Sequence, residues 1–176
     1  MSFSFSFDTK SGHINIEDGS IEVPAFIFYE DNSIKSVFIP DTIKTIGPYA
    51  FRQNQIADLE LPNSVTSIGN SAFNFNSLTE ILIPNSVVYI GDSAFNDNNI
   101  SQVIIGNSVT SIGDGAFRKN NISEVAFGES VIRIGGKSFK DNNLSEVTID
   151  GDISTIGYGA FMGNNLEKVF IGDSVK

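Results

Sequence analysis

The sequence predicts a β-rich repeat solenoid, in which parallel strands stack coil upon coil and short helical or turn segments close each coil. Three columns of residues predict it. The pair Ile-Gly recurs at Ile46-Gly47, Ile68-Gly69, Ile90-Gly91, Ile112-Gly113, Ile134-Gly135 and Ile156-Gly157, always in steps of 22 residues. A phenylalanine stands four residues after each glycine, at Phe51, Phe73, Phe95, Phe117, Phe139 and Phe161, preceded by alanine in every copy except one, where Ser138 stands. An asparagine recurs at Asn32, Asn54, Asn76, Asn98, Asn120, Asn142 and Asn164. The register runs unbroken from Asn32. A fold with one shared core has no need of that regularity, whereas a stack of like coils requires it.

Residues 1–31 precede the clear register. "FSFSFSF" and "HINI" alternate as strands do, and "DTKSG" between them is a turn signal, so Phe3 to Ile16 reads as a β-hairpin. "IEVPAFIFY", from Ile21 to Tyr29, reads as a decayed repeat in which Tyr29 sits 22 residues before Phe51. Together they form the expected N-terminal cap.

Residues 32–176 are the expected solenoid, six full 22-residue repeats and a partial seventh. Within each repeat a stretch such as "IADLELP" or "LTEILIP" ends in apolar-variable-apolar alternation. Leu59 and Leu61 are expected to point inward and Glu60 outward. Val65 and Ile68 carry a second apolar beat, expected as a second short strand on another wall. Gly69 is expected to allow a turn, and Ala72-Phe73 to form the helical or turn segment that closes the coil. The asparagine column reads as a corner device, bonding backbone or its own stacked neighbours. One coil of 22 residues buries too little apolar surface to offset its ordering entropy, so stability is expected to come from stacked neighbours.

The phrase "IPxSVxxIGxxAF" is met by "LPNSVTSIGNSAF" at 61–73 and "IPNSVVYIGDSAF" at 83–95. With the strand core it resembles the BspA-like class of leucine-rich repeats, over residues 32–176. Two departures stand out: the period is 22 where that class more often has 23, and asparagine holds the corner where it often has cysteine. The resemblance implies a surface protein of the kind used in adhesion and protein binding.

Composition narrows the function. Lys plus Arg number 11 and Asp plus Glu 21, a formal charge of −10. That balance argues against nucleic-acid binding and against electrostatic docking on anionic membranes. There is no cysteine, so disulfides and thiolate metal sites are excluded. No run of 18 apolar residues is present, so no membrane insertion is expected. "MSFSFSFDTKSG" has neither a basic region nor an apolar run, so it does not read as a signal peptide. The chain is expected to be cytoplasmic, or part of a longer chain that is secreted or displayed at the cell surface.

Catalytic chemistry finds little support. His13 is the only histidine, and any Ser-His-Asp site would have to recruit it, although no serine sits in a nucleophile elbow. No phosphate or dinucleotide motif occurs, and no cofactor is expected. "GDGAF" and "NDNN" hold oxygen ligands without the spacing of a calcium loop and read as polar turns. Asp58 with Glu80, and Glu124 with Glu146, fall about 5 Å apart if coils stack, and read as a solvated acidic face. Arg118, Lys119, Arg133, Lys137 and Lys140 make a local basic spot, either a contact for an acidic partner or charge balance between coils.

The outward position between the two strand apolar residues reads Phe38, Glu60, Leu82, Ile104, Ala126, Thr148, Phe170. If it faces solvent, Phe38, Glu60, Leu82, Ile104 and Phe170 are the candidate partner-binding residues; otherwise another segment covers them. The expected function is a non-enzymatic protein-binding or adhesion module, with a host matrix protein or another surface protein as partner. The alternatives are a structural spacer, a stalk that self-associates through its uncapped C-terminal end, and a flat ice- or glycan-binding face. Thr66-Ser67, Thr110-Ser111 and Ser154-Thr155 suggest the last, but Val88-Tyr89 and Ile132-Arg133 interrupt those rows.

Overall fold

A computed structural model describes residues 3–150 and 152–172. Short strands alternate between two walls as the chain winds. They are β1 (Phe5–Asp8), β2 (His13–Ile16), β3 (Glu22–Val23), β4 (Ser36–Phe38), β5 (Thr45–Ile46), β6 (Ser67–Ile68), β7 (Glu80–Leu82) and β8 (Tyr89–Ile90). There follow β9 (Gln102–Ile104), β10 (Ser111–Ile112), β11 (Glu124–Ala126), β12 (Arg133–Ile134), β13 (Glu146–Ile149), β14 (Thr155–Ile156) and β15 (Lys168–Ile171). The second wall is one seven-stranded parallel sheet, β3-β5-β6-β8-β10-β12-β14. It is the second apolar beat of the sequence. The first wall holds the longer strands in three separate sheets, β1-β2-β4, β7-β9-β11 and β13-β15. The chain is thus a β-solenoid, with coils advancing about 5 Å each by strand pairing.

The third side of each coil is made of turns, and among the described residues there is no helix. Two left-handed positions shape each turn segment. One column is Tyr49, Ser71, Ser93, Gly115, Lys137 and Gly159; the other is Gln53, Phe75, Asp97, Lys119, Asp141 and Gly163. The glycine of the Ile-Gly pair is not among them, which corrects the expectation that Gly69 serves the turn. A Cβ on Gly69 would lie 2.5 Å from the Pro48 nitrogen, and one on Gly91 2.5 Å from the Asn70 nitrogen. The column stays glycine because the backbones of adjacent coils nearly touch there.

Between the walls runs a single core. Phe51, Phe73, Phe95, Phe117 and Phe139 are fully buried and stack face to face, with ring centroids 5.2–5.5 Å apart. The stack starts one step earlier, at Phe28, 5.2 Å from Phe51. Phe3 and Phe5 meet Phe28 edge-on, with centroids at 6.1 and 4.8 Å. β1 and β2 pair antiparallel, and β2 then joins β4 in parallel.

Phe28, rather than Tyr29, therefore heads the phenylalanine column. Val23 pairs with Ile46 and Ile14 with Val37, offsets of 23, whereas Ile46 pairs with Ile68 at 22. The extra residue lies between Glu30 and Ile34. Glu30 shares its left-handed turn with Gln53, 23 residues on. The Gln55 N–H, by contrast, donates to Ile34 as the Ser77 N–H does to Ile56, back in the 22-residue frame. Asn32 falls in this irregular turn, exposed; its side chain bonds only the Glu30 carbonyl, and its own carbonyl accepts from Gln55 Nε2.

From Asn54 to Asn142 the asparagines are buried in the core, and Asn164 is partly buried. They bond backbone, not one another. Asn98 Nδ2 donates to the Phe95 carbonyl of its own coil at 3.2 Å and to Phe73 of the coil before at 2.9 Å. Its Oδ1 accepts the Leu78 N–H at 3.1 Å. Each asparagine thus fastens two coils at a corner where backbone groups would otherwise be buried without partners.

Candidate functional site

The outward row of the first wall is open to solvent. Phe38 is 52% exposed, Leu82 62%, Ile104 47% and Phe170 56%, and Glu60, Ala126 and Thr148 are also exposed. No segment among the described residues covers them. The strand period explains the geometry: Val37, Ile81 and Val103 point into the core, so their neighbours must point away. Phe38, Glu60, Leu82 and Ile104 occupy four successive coils and form one surface. Phe170 is not part of it. Ala126 and Thr148 intervene, and Phe170 lies about 15 Å beyond Ile104, on the separate β13-β15 sheet.

Around this row the wall carries carboxylates. Asp58 and Glu80 occupy one strand column, beside Ser36 and Gln102, and Glu60 stands between Phe38 and Leu82. A hollow lined by Glu60, Leu61, Glu80, Leu82 and Ile104 adjoins a second lined by Phe38, Asp41 and Glu60. Acidic and apolar groups therefore alternate over one patch.

The same wall sets side by side three residue types that sequence spacing did not connect. His13, Ser36 and Asp58 share one column, with His13 Nδ1 2.8 Å from Ser36 Oγ. The order is wrong for activating a nucleophile. The carboxylate stands beside the serine, two coil steps or about 10 Å from the imidazole it would have to orient.

The basic spot resolves into pairs between coils. Lys119 meets Asp97 at 3.1 Å, Arg133 meets Asp114 at 2.8 Å, and Arg118 lies 3.7 Å from Asp141. Lys140 also reaches Asp141, at 3.0 Å, and that hydrogen bond holds the Asp141 carboxyl below its ordinary 3.8. Lys137 is left outside these pairs. The acidic turns are likewise used internally. Asp114 Oδ1 accepts the Gly136 N–H at 2.9 Å, as Asp92 Oδ1 accepts the Asp114 N–H at 2.8 Å. Among the described residues no three histidine, aspartate or glutamate side chains converge as a metal site would need.

On the second wall Thr66, Ser67, Thr110 and Ser111 reach the surface, but Val88, Tyr89 and Ile132 stand exposed between them. The rows are broken in space as in sequence.

Comparison with known proteins places this geometry. The model of the BspA type leucine rich repeat region matches in six copies, over residues 1–122 and 67–176. No curated protein matches the sequence significantly. Among solved structures, the Treponema pallidum leucine rich repeat protein superposes with a TM-score of 0.70 at 26% identity, over 92% of this chain and 86% of that one. A leucine rich cell surface protein of Faecalibacterium prausnitzii gives 0.67 at 22% identity, and the pneumococcal vaccine antigen PcpA 0.59 at 17%. Those two matches cover 94% and 87% of this chain but 54% and 50% of theirs, so the chain spans about half the length of each. The chain belongs to the BspA-type leucine-rich-repeat family.

Proposed function

We propose that the chain is a non-catalytic protein-binding module of a leucine-rich-repeat protein that is displayed on a cell surface or secreted. It binds through the outward row of the first wall, from Phe38 to Ile104. One observation carries this reading: Phe38, Leu82 and Ile104 are large apolar side chains held exposed within one run of four coils, with Glu60 on the coil between Phe38 and Leu82. Exposed apolar patches of this kind mark partner sites. Family membership supports the choice of a scaffold over an enzyme. The surface location draws on the F. prausnitzii neighbour, described as a cell surface protein. Residues 1–31 serve as the cap of the array and residues 32–176 as the array itself, and Asp173–Lys176 lie outside the described residues.

The test is retention of purified extracellular-matrix and surface proteins on the immobilised chain. Wild type retains a partner, and Leu82→Lys/Ile104→Lys loses it with an unchanged melting temperature. A pure spacer retains nothing. A stalk that self-associates retains only copies of itself. Retention unaffected by the double substitution would refute binding through this row.

A further inference from the structure

The first wall breaks twice, between β4 and β7 and between β11 and β13, and at the first break a whole coil stands outside the sheets. Ser36 bridges Asp58, but beyond that bridge Glu60 and Leu61 form no backbone hydrogen bond with either neighbouring coil. The corresponding bonds exist further along: the Ile83 N–H donates to Ile104 and the Ile105 N–H to Ala126, both at 3.0 Å. The gap shows in packing as well. Leu59 is only half-buried, as is Val125 at the second break, whereas Ile81 and Val103 between them are buried. Two hollows, of about 480 and 460 Å³, run together across the opening and share Glu60, Leu61 and Asn63.

Three features of this opening point to one kind of occupant. Phe38, Leu82 and Ile104 flank it with exposed apolar surface. Asp41, Glu60 and Glu80 line it, Asp58 borders it, and none of the four enters an ion pair among the described residues. Neither hollow is lined by lysine or arginine. The N–H and C=O groups of Glu60 and Leu61 have no backbone partner among the described residues. Carboxylates gathered in a partly apolar recess attract cations more strongly than the same charges spread on a flat surface.

We propose that this opening is the docking groove for an extended segment of a partner protein that carries lysine or arginine beside apolar side chains. The inference rests on the binding-module reading and narrows it to a partner chemistry. The apolar side chains cover Phe38, Leu82 and Ile104. The cations meet Asp41, Glu60 and Glu80.

The probe is a labelled eight-residue peptide, Lys-Lys-Val-Val repeated twice, titrated onto the whole chain by fluorescence anisotropy. In an extended chain each face of this peptide shows cations and apolar groups alternately. Glu-Glu-Val-Val and Lys-Lys-Ser-Ser repeats are its controls. Both controls are expected to bind at least about tenfold more weakly, and binding of the probe to fall as salt rises. Glu60→Lys/Glu80→Lys should weaken the probe about tenfold or more, Glu60→Gln/Glu80→Gln by a smaller factor, and Glu124→Lys/Glu146→Lys, which flank the other break in the wall, by little. The glutamine pair serves if the lysine pair perturbs folding. No probe binding, equal binding of the Lys-Lys-Ser-Ser repeat, or equal loss in the Glu124/Glu146 variant would overturn the inference. If the probe fails while Leu82→Lys/Ile104→Lys still releases a matrix protein, the cationic segment falls and the binding module stands.

Discussion

The Asn76 side-chain amide donates to the carbonyl of Phe51, one coil earlier, at 2.8 Å. It also donates to Phe73 in its own coil at 3.2 Å, and its Oδ1 accepts the Ile56 N–H at 3.0 Å. One buried side chain thereby satisfies three backbone groups at the corner where two coils meet.

Removing a fastening should be costly in the middle of the array and much less so at its irregular start. Asn98→Ala leaves the Leu78 N–H and the Phe73 carbonyl buried without this partner. We expect a loss of about 3 kcal/mol in chemical denaturation. Asn32→Ala, at an exposed residue whose side chain bonds only Glu30 and whose φ is +58°, should cost only about 1 kcal/mol, the left-handed penalty alone. Equal effects at the two positions would contradict the assigned roles.

The glycines make a second contrast. Gly91→Ala forces a Cβ to 2.5 Å from backbone that cannot move aside, and we expect a loss of about 3 kcal/mol or more. Gly115 is left-handed, with φ of +64°, but a Cβ there meets nothing nearer than 3.4 Å. Gly115→Ala should lose only about 1 kcal/mol, because the cost is conformational alone. Thermal denaturation of both variants checks the order.

Ser138 interrupts the alanine column. It is fully buried, and its Oγ has no hydrogen-bond partner. Ala50, Ala72, Ala94, Ala116 and Ala160 fill the same site without that burden. Ser138→Ala should therefore raise stability by about 1 kcal/mol, read as a higher denaturation midpoint at unchanged slope. Destabilisation would show that the hydroxyl has a role in this coil.

The Lys140–Asp141 contact sets a pH dependence. The hydrogen bond from Lys140, assisted by the charges of Lys140 and Arg118, depresses the Asp141 carboxyl below 3.8. A depressed acid contributes stability that is present above 3.8 and lost as pH falls through the lower, folded value. NMR titration of the Asp141 carboxyl should show a midpoint below 3.8 that rises toward it in Lys140→Met. A midpoint unmoved by that substitution would exclude the assigned cause.

The 22-residue period was enough to derive two walls, stacked parallel strands, inward phenylalanines and an outward Phe38–Glu60–Leu82–Ile104 row, because each depends only on strand alternation and repetition. What periodicity hid depends on how one coil meets the next. Gly69 looks like a turn residue until the Pro48 backbone is found against it. Asn32 matches the asparagine column by count, but the extra residue before Ile34 places it in a different turn. The unpaired stretch at Glu60 and Leu61 leaves no mark in "IADLELP", whose pattern matches coils that do pair. The contact of His13 with Ser36 crosses the 23-residue step and so escapes a 22-residue frame.

Binding through the first wall is tested most directly by hydrogen–deuterium exchange of the chain with and without a retained partner. Protection is expected over Ser36–Leu61 and β7–β9, strongest at Glu60 and Leu61, whose amides lack bonds within the protein. The second-wall strands β6, β8 and β10 should exchange as before. Protection confined to that second wall, with Glu60 and Leu61 unchanged, would contradict the proposed site.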